Sequence, residues 1–432
     1  MFNRLSEAFP SESLAEDSEL TNHNSYYLPV SIKHPGMIRI TQFLFLSSFL
    51  VCQAVAQKPT DFILSQQLIF PPQSEHTHGS SLVLLPNGDK LAVWFQGSGE
   101  RTADDVRLMG ARLKQGAKTW TTPFLMADTP GLPDCNPVLF LNGSGKLFLV
   151  WITVQAHRWE HSILRVRTST HYNTDGAPDW DWQDNILLAP GEAFATEVAV
   201  KFKDLPKNPA GWAEYALSYD RMIIEASKDE RKTSVGWMTR IKPLILPNGR
   251  ILLPLYSDGF NMSLVAISDD DGATWRASLP IVGRGPIQPA LAQKENGDIV
   301  ALMRDSGDAP SRVHKSVSTD GGESWSATVK TDMPNTASVE LLKLRDGKWA
   351  FLGNDIEDGR YRMSLYLSGD EGETWKWKVR LEDHEKGNDR SYSYPCLVQD
   401  DKGLLHITYS SRTSETEKSI KYVVVDPVKV VR

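Results

Sequence analysis

The sequence SDDDGATW, at residues 268–275, returns twice more along the chain, as STDGGESW at 318–325 and as SGDEGETW at 368–375. All three copies, called the tags below, fit the pattern S-x-D-x-G-x-x-W, and each begins 50 residues after the one before it. A fixed period of this length is typical of a fold built from repeated structural units. The repeat, rather than any single copy, therefore decides the fold.

The other half of each repeat is a pair of apolar runs joined by a short turn that contains glycine. Asn-Gly and Asp-Gly between apolar runs favour hairpins, because these residues accept the positive φ angles of tight turns. Alternation of side-chain polarity indicates strands, and no long helical periodicity competes with it. Six such hairpins occur, at 81–95, 137–152, 242–256, 289–303, 339–353 and 395–409.

Six hairpins, most of them followed by a further strand and a tag, predict six four-stranded units. Radial packing of such units leaves only short sheet edges exposed. We therefore predict an all-β, six-bladed β-propeller. The regular spacing breaks at about 155–235, which indicates an inserted segment or an enlarged blade. That segment is rich in Trp, Tyr and His, so it could form a wall of a binding site or only extra packing on the rim.

The N-terminal residues do not fit the repeat. Residues 1–36 are polar and irregular, whereas 37–56 combine a short basic start, an apolar run and an Ala-x-Ala site. This combination is typical of a secretory signal peptide, and the apolar run is too short to span a membrane. We predict a non-native or disordered extension, a signal peptide, and a propeller over 57–432 of a secreted or periplasmic protein. The alternative is a disordered cytosolic tail before a buried helix.

Composition narrows the function classes. The chain carries 47 basic and 54 acidic residues, a formal net charge of −7, and the basic residues do not cluster. Nucleic acid is therefore not an expected partner. Cys135 and Cys396, the two cysteines that follow the predicted signal peptide, could form one disulfide or remain buried thiols.

The acidic residues of the tags suggest a calcium loop at first sight. The spaced ligands of an EF-hand loop and its closing bidentate Glu are missing, however. A structural turn fits better, since Asp can bond turn amides, Gly adopts positive φ, and Trp can pack between neighbouring blades. We therefore predict no metal site and no cofactor.

The tandem S-x-D-x-G-x-x-W pattern on a six-fold β repeat resembles the Asp-box of the sialidase (neuraminidase) superfamily, over about residues 75–425. The resemblance implies the propeller more strongly than an activity, because the Asp-box also occurs in propellers that are not sialidases. Sialidases hold the substrate carboxylate with three arginines. They use a Tyr nucleophile activated by a Glu, and an Asp as acid/base.

Three positions match the family register. Arg360 lies eight residues before the third tag, and Arg304 follows the fourth hairpin; the resemblance implies that both bind the substrate carboxylate. Tyr394 lies nine residues before the turn glycine Gly403, which implies that it is the nucleophile. Tyr392 is a neighbour that could be confused with it.

The family's acid/base Asp lies in the loop after the first hairpin. Here that loop offers Asp104 and Asp105, with Arg101 beside them as a further substrate-binding residue. Because adjacent residues of a strand point to opposite faces, only one of the two Asp side chains is expected to enter the pocket.

Two positions depart from the family pattern. His78 stands where the first arginine of the triad would begin the first blade, and Gln288 stands where the activating Glu is expected. An amide cannot accept a proton from Tyr394, and the missing arginine removes a contact worth about 1.5–3 kcal/mol. His78 could act as a general acid or base, with Glu75 or His76 as its partner, or could hydrogen-bond the substrate.

We therefore expect a secreted exo-glycosidase of the sialidase type, which cleaves a terminal acidic sugar, sialic acid or similar, from glycans. One alternative is a propeller hydrolase or lyase that acts on uronate- or rhamnose-containing polysaccharide. Another is a carbohydrate-binding propeller without catalysis. In each case the expected partner is a glycan or polysaccharide, with no nucleic acid and no membrane span.

Overall fold

Six antiparallel sheets form the framework of the part of the chain that the structure, a computed structural model, describes: residues 61–206 and 218–431. Each predicted hairpin supplies the innermost strands of one sheet, so the six-bladed β-propeller is confirmed. The strands of the first half are β1 Ile63–Leu68, β2 His76–Leu84, β3 Lys90–Gly97, β4 Arg107–Leu113, β5 Phe124–Ala127, β6 Asp134–Leu141, β7 Leu147–Val154, β8 Ser162–Ser169, β9 Trp182–Asn185, β10 Met238–Thr239, β11 Leu244–Ile245, β12 Ile251–Ser257, β13 Met262–Ser268 and β14 Arg276–Ala277.

The second half is more regular in its spacing. Its strands are β15 Pro286–Gln293, β16 Ile299–Asp305, β17 Arg312–Ser318, β18 Val329–Pro334, β19 Glu340–Lys343, β20 Trp349–Gly353, β21 Arg362–Ser368, β22 Trp377–Asp383, β23 Ser391–Gln399, β24 Leu405–Ser414 and β25 Glu417–Val425. Blades 1 to 5 are β2–β5, β6–β9, β10–β14, β15–β18 and β19–β22.

The sixth blade closes the ring with strands from the two ends of the propeller. Its order is β1-β25-β24-β23, so β1 forms the outer edge of a sheet whose other strands come from residues 391–425. Gln66 of β1 lies opposite Val423 of β25 in this antiparallel pair. Ring closure therefore depends on main-chain hydrogen bonds between segments far apart in sequence.

The segment at 155–235 is partly blade and partly helix. Strands β8 and β9 complete the second blade, and the helices α1 Gly191–Asp204, α2 Tyr219–Ala226 and α3 Glu230–Thr233 follow. The expectation that no helical pattern competes with the strands is wrong here. In α1, Phe194, Val198 and Phe202 recur every four residues and form one buried face. A short helix α4, Pro427–Val430, ends the described chain.

The tags are self-contained turns. In the first tag, the Ser268 hydroxyl accepts a hydrogen bond from the Gly272 amide at 2.9 Å and donates to Asp270 at 2.8 Å. The other carboxylate oxygen of Asp270 accepts from the Thr274 hydroxyl at 2.6 Å. The same bonds recur at 318–325 and 368–375. The carboxylate is thus used within the turn.

Two of the three tag glycines also lie tightly against the preceding blade. A Cβ atom on Gly272 would lie 2.5 Å from the Phe148 ring of the preceding blade. One on Gly322 would lie 2.9 Å from Leu252, again on the preceding blade. Only a residue without a side chain fits these contacts.

The tags lie at one end of the blades and leave the other end free. In the fourth blade, Ile299 at one end of β16 pairs with Ser318 of the tag. Arg304 at the other end of β16 pairs with Ile287, near the start of β15. The two ends of each blade can therefore be considered separately.

Cys135 and Cys396 are both buried free thiols, which matches the second of the two alternatives for these residues. None of the helices in the described ranges is long and apolar enough to cross a membrane. The predicted extension at 1–36 and signal peptide at 37–56 lie outside the described residues.

Candidate active site

A bulge near the start of the innermost strand recurs in four of the six blades, at the end away from the tags. In each bulge one residue adopts a positive φ, which is uncommon and strained for a residue other than glycine. Bulges of this kind redirect side chains. The residues are Gly79, Asn136, Gln288 and Tyr394, with φ angles of 65°, 50°, 57° and 56°.

These redirected side chains meet one another across blade boundaries. Asn136 Nδ2 of the second blade donates to the hydroxyl of Tyr256 of the third blade at 3.1 Å. Gln288 of the fourth blade also lies near Tyr256 and acts on its pKa. Gln288 Nε2 donates to the hydroxyl of Tyr394 of the sixth blade at 3.4 Å. Contacts among blades that are not neighbours place this network at the propeller axis.

Two predicted arginines lie beside Tyr394, one at its hydroxyl and one over its ring. Arg304 Nη1 is 3.4 Å from that oxygen, and the Arg360 guanidinium is 5.6 Å from the centre of the Tyr394 ring. Burial lowers the pKa of Arg360, and the nearby positive charge of Arg304 lowers it further. Two partly exposed cations that repel each other favour an anionic ligand between them.

His78 packs directly against Tyr394, with ring centres 4.0 Å apart and planes tilted by 31°. Burial lowers the pKa of His78 well below its usual value, and the charges of His76 and the site arginines add to the effect. His78 is therefore neutral at neutral pH. Of the two proposed partners, His76 contacts it ring edge to face at 5.7 Å, whereas Glu75 accepts a hydrogen bond from Gln96 at 2.7 Å.

The three predicted residues of the first loop contact His157, Ser98 and Trp159. Asp104 Oδ1 is 2.7 Å from His157 Nε2, and both side chains are exposed. Asp105, also exposed, accepts hydrogen bonds from the amide and hydroxyl of Ser98 at 3.1 and 2.9 Å. The Arg101 guanidinium lies 5.5 Å over the ring of Trp159. A role for either Asp as the acid stays a prediction.

Two other carboxyl groups, which the sequence reasoning missed, lie in the field of the site arginines. Burial raises the pKa of Glu100, although Arg101, Arg360 and Arg304 oppose the shift. Desolvation also raises the pKa of Asp258 to about 6, with Arg304 opposing and Glu100 assisting, although the residue is exposed to solvent. Glu100 precedes Arg101 in the predicted loop. Asp258 follows Tyr256 by two residues, so the period of a strand could have indicated the same face.

The helical insertion supports the loop that carries Asp258. Phe260 packs against Phe194 of α1 at 5.4 Å and against Trp237 at 6.0 Å between ring centres. Asn261 Nδ2 donates to the carbonyl of Ser306 at 3.2 Å, which joins the third and fourth blades. The insertion therefore packs behind one side of the site.

Arg240 is a third guanidinium at Tyr394, and it too was missed. It lies 4.7 Å from the centre of the Tyr394 ring and is only 2% exposed. The sequence did contain a signal for it. Arg240 lies nine residues before the turn glycine Gly249, which is the spacing that singled out Gln288.

Comparison with known families adds a match to the BNR repeat-like domain over residues 88–238 and 228–407. The chain belongs to the BNR repeat-like domain family. The predicted membership of the sialidase-like Asp-box superfamily is thereby confirmed. A comparison with curated proteins gave no match.

Solved structures show the same fold. A protein of unknown function from Dyadobacter fermentans DSM 18053 is 17% identical, with a TM-score of 0.60 over 84% of this chain and 98% of that one. The intramolecular trans-sialidase from Ruminococcus gnavus, in complex with oseltamivir carboxylate, is 14% identical, with a TM-score of 0.59 over 84% and 97%. The NanB sialidase from Streptococcus pneumoniae is 13% identical, with a TM-score of 0.60 over 84% and 71%. At sequence identities of 13–17%, the similarity to these structures shows a shared fold and does not assign an activity.

Proposed function

We propose that this protein is an exported exo-glycosidase of the sialidase type, which removes a terminal acidic sugar from a glycan. The observation that carries the proposal is the position of Arg304 beside the Tyr394 hydroxyl and of Arg360 over the Tyr394 ring. Guanidinium groups bind carboxylates through paired, charge-assisted hydrogen bonds. A carboxylate held there brings the neighbouring anomeric carbon towards the Tyr394 oxygen. Export rests on the signal-like pattern at 37–56.

In this reaction Tyr394 is the nucleophile. Its oxygen forms a bond to the anomeric carbon, while the bond from that carbon to the leaving oxygen breaks. Gln288 Nε2 donates to the Tyr394 oxygen, so the amide cannot take the phenol proton, which passes to solvent. Water then attacks the anomeric carbon, the bond from that carbon to the Tyr394 oxygen breaks, and the sugar leaves. The proton lost by this water and one proton from solvent restore the Tyr394 phenol and the Asp258 acid.

Asp258 supplies the proton that the leaving oxygen needs. A pKa of about 6 keeps a useful fraction of this carboxyl group protonated near neutral pH. Its neighbour Glu100 contributes the negative charge that helps to hold that proton. Two carboxyl groups whose surroundings separate their roles are a recurrent feature of glycosidase sites.

A second candidate is β-elimination from a uronate, and one observation favours it. The groups next to Tyr394 are a neutral amide and a neutral imidazole, Gln288 and His78, rather than a carboxylate base. In elimination the arginines would neutralise the sugar carboxylate, and Tyr394 would remove the proton beside it. For this the Tyr394 phenol first gives its own proton to solvent, so that its oxygen can accept the sugar proton. The bond to the leaving oxygen then breaks, that oxygen takes a proton from solvent, and a double bond forms in the sugar.

The test is a substrate panel of sialosides, uronides and uronate-rich polysaccharides, applied to the purified protein. The proposal predicts release of a free sugar acid, which is lost in Tyr394→Phe. A product with a new ultraviolet absorbance would assign the elimination reaction instead. Glycan binding without any turnover would overturn both enzymatic proposals.

A further inference from the structure

Arg240 lies where no sugar can reach it. Its Nη1 and Nη2 donate to the main-chain carbonyls of Ser80 and Pro395, at 3.3 and 3.1 Å. The nearest buried carboxylate, Glu340, forms its ion pair with Lys242 at 3.4 Å. No carboxylate hydrogen-bonds Arg240 among the described residues, and its Nε has no partner there. A buried charge without a carboxylate partner destabilises the fold. The burial of Arg240 therefore indicates a role beyond stability.

The two carbonyls that accept hydrogen bonds from Arg240 belong to the bulges next to His78 and Tyr394. Ser80 follows the Gly79 bulge of the first blade, beside His78, and Pro395 directly follows Tyr394. Arg240 itself comes from the third blade, at the position that corresponds to these bulges. One side chain therefore holds the backbone two residues after His78 and one residue after Tyr394, the two members of the ring pair.

The guanidinium also lies 4.7 Å from the centre of the Tyr394 ring. A cation over an aromatic face is attracted to the ring electrons. It also stabilises negative charge that develops on the phenol oxygen, the more so because the surroundings exclude water. Arg304, at 3.4 Å from the same oxygen, acts in the same direction from the open side of the pocket.

We propose that Arg240 is the positioning residue of Tyr394, which holds the strained bulge and supports the reacting oxygen with a positive charge. The inference rests on the proposed role of Tyr394 and holds for hydrolysis and elimination alike. It also explains why an amide, Gln288, can stand where a carboxylate base is expected. Positive charges, rather than a base, stabilise the ionised oxygen of Tyr394.

Kinetics of three variants test the inference. Arg240→Met keeps the length of the side chain and removes its charge and hydrogen bonds, so kcat should fall by about 10²-fold with little change in KM. Arg240→Lys keeps the charge and should recover part of that loss. Lys242→Met is the matched control, since it removes another, half-buried cation two residues away, which bonds Leu397 O and not Tyr394. It should lower stability but leave kcat unchanged.

A second measurement does not need a known substrate. Fluorotyrosine labelling gives a ¹⁹F signal for each of the 12 tyrosines, and the Tyr394 signal is the one that disappears in Tyr394→Phe. That signal should shift or broaden in Arg240→Met and stay in place in Lys242→Met. If the wild type turns over no sugar, the proposed function fails, and this signal still decides the role of Arg240. A folded Arg240→Met protein with unchanged kcat and an unchanged Tyr394 signal would overturn the inference.

Discussion

The two ends of the blades use the repeat in opposite ways. At the tag end, three copies keep the same Ser, Asp and Gly and form the same hydrogen bonds. At the other end, the position nine residues before the turn glycine carries a different residue in every blade. These residues are Gly79, Asn136, Arg240, Gln288, Ser338 and Tyr394. A repeated position with only a structural role keeps the same residue in each copy. A repeated position at the propeller axis can vary from blade to blade and supply functional side chains.

Among substitutions at the axis end of the blades, Tyr394→Phe should have the largest effect on activity. It removes the proposed nucleophile and should lower kcat by at least about 10³-fold, without a change in thermal unfolding. Tyr392→Phe is the control, because the Tyr392 hydroxyl lies 3.1 Å from His384 Nε2, in a separate set of contacts. Steady-state kinetics on the active substrate decide the matter. Equal losses in the two variants would contradict the assignment of Tyr394.

The next effect concerns Asp258. As the general acid it must be protonated, so kcat should decline as the pH rises through about 6. Asp258→Asn should remove that decline and lower kcat by about 10²-fold or more. A pH–rate profile of each protein provides the measurement. If Glu100→Gln removes the decline and Asp258→Asn does not, the acid is Glu100.

Asp258 should also affect stability with a defined sign. Its pKa of about 6 in the folded protein lies above its usual value of 3.8, so folding favours the protonated form. The resulting stabilisation is fully present below about pH 4 and is lost as the pH rises through about 6. Urea unfolding of the wild type should show this decline, and Asp258→Asn should reduce it.

Arginines at the two ends should behave differently. Arg304→Met removes a charge-assisted contact to the substrate and should lower kcat/KM by about 10- to 150-fold, or about 1.5–3 kcal/mol. Arg250→Met is the control at the tag end, where Arg250 pairs with Asp269 and Glu323. It should change the urea midpoint slightly and leave kcat/KM as in the wild type.

The smallest effect on activity, and a clear one on stability, is expected from Gly272→Ala. Gly249 and Gly272 have φ angles of 89° and 91°, but a Cβ atom meets nothing within 4 Å at Gly249 and Phe148 at 2.5 Å at Gly272. Gly249→Ala should therefore cost about 1–2 kcal/mol of backbone strain. Gly272→Ala should cost about 1–3 kcal/mol more, from overpacking. Equal urea midpoints would show that the tag does not lock the blades.

Local pattern was enough to predict most of the fold. Turn glycines, alternating polarity and the tag period are properties of short segments, and they gave six hairpins and six blades. The helices at 191–233 were missed, because the strand repeat dominated the sequence and the apolar face of α1 spans only three side chains. The closing strand β1 was missed because its partner β25 lies at the other end of the propeller.

The sequence by itself determined the blade count, the tag turns and the register that singled out His78, Gln288, Arg304, Arg360 and Tyr394. Only the tertiary structure decided which charged groups join them. Glu100 lies in the electrostatic field of the site arginines, while Asp104 and Asp105 of the same loop hydrogen-bond His157 and Ser98. The physical reason is that the site forms where blades distant in sequence meet. Interactions there depend on where each bulge directs its side chain, and no local pattern encodes that direction.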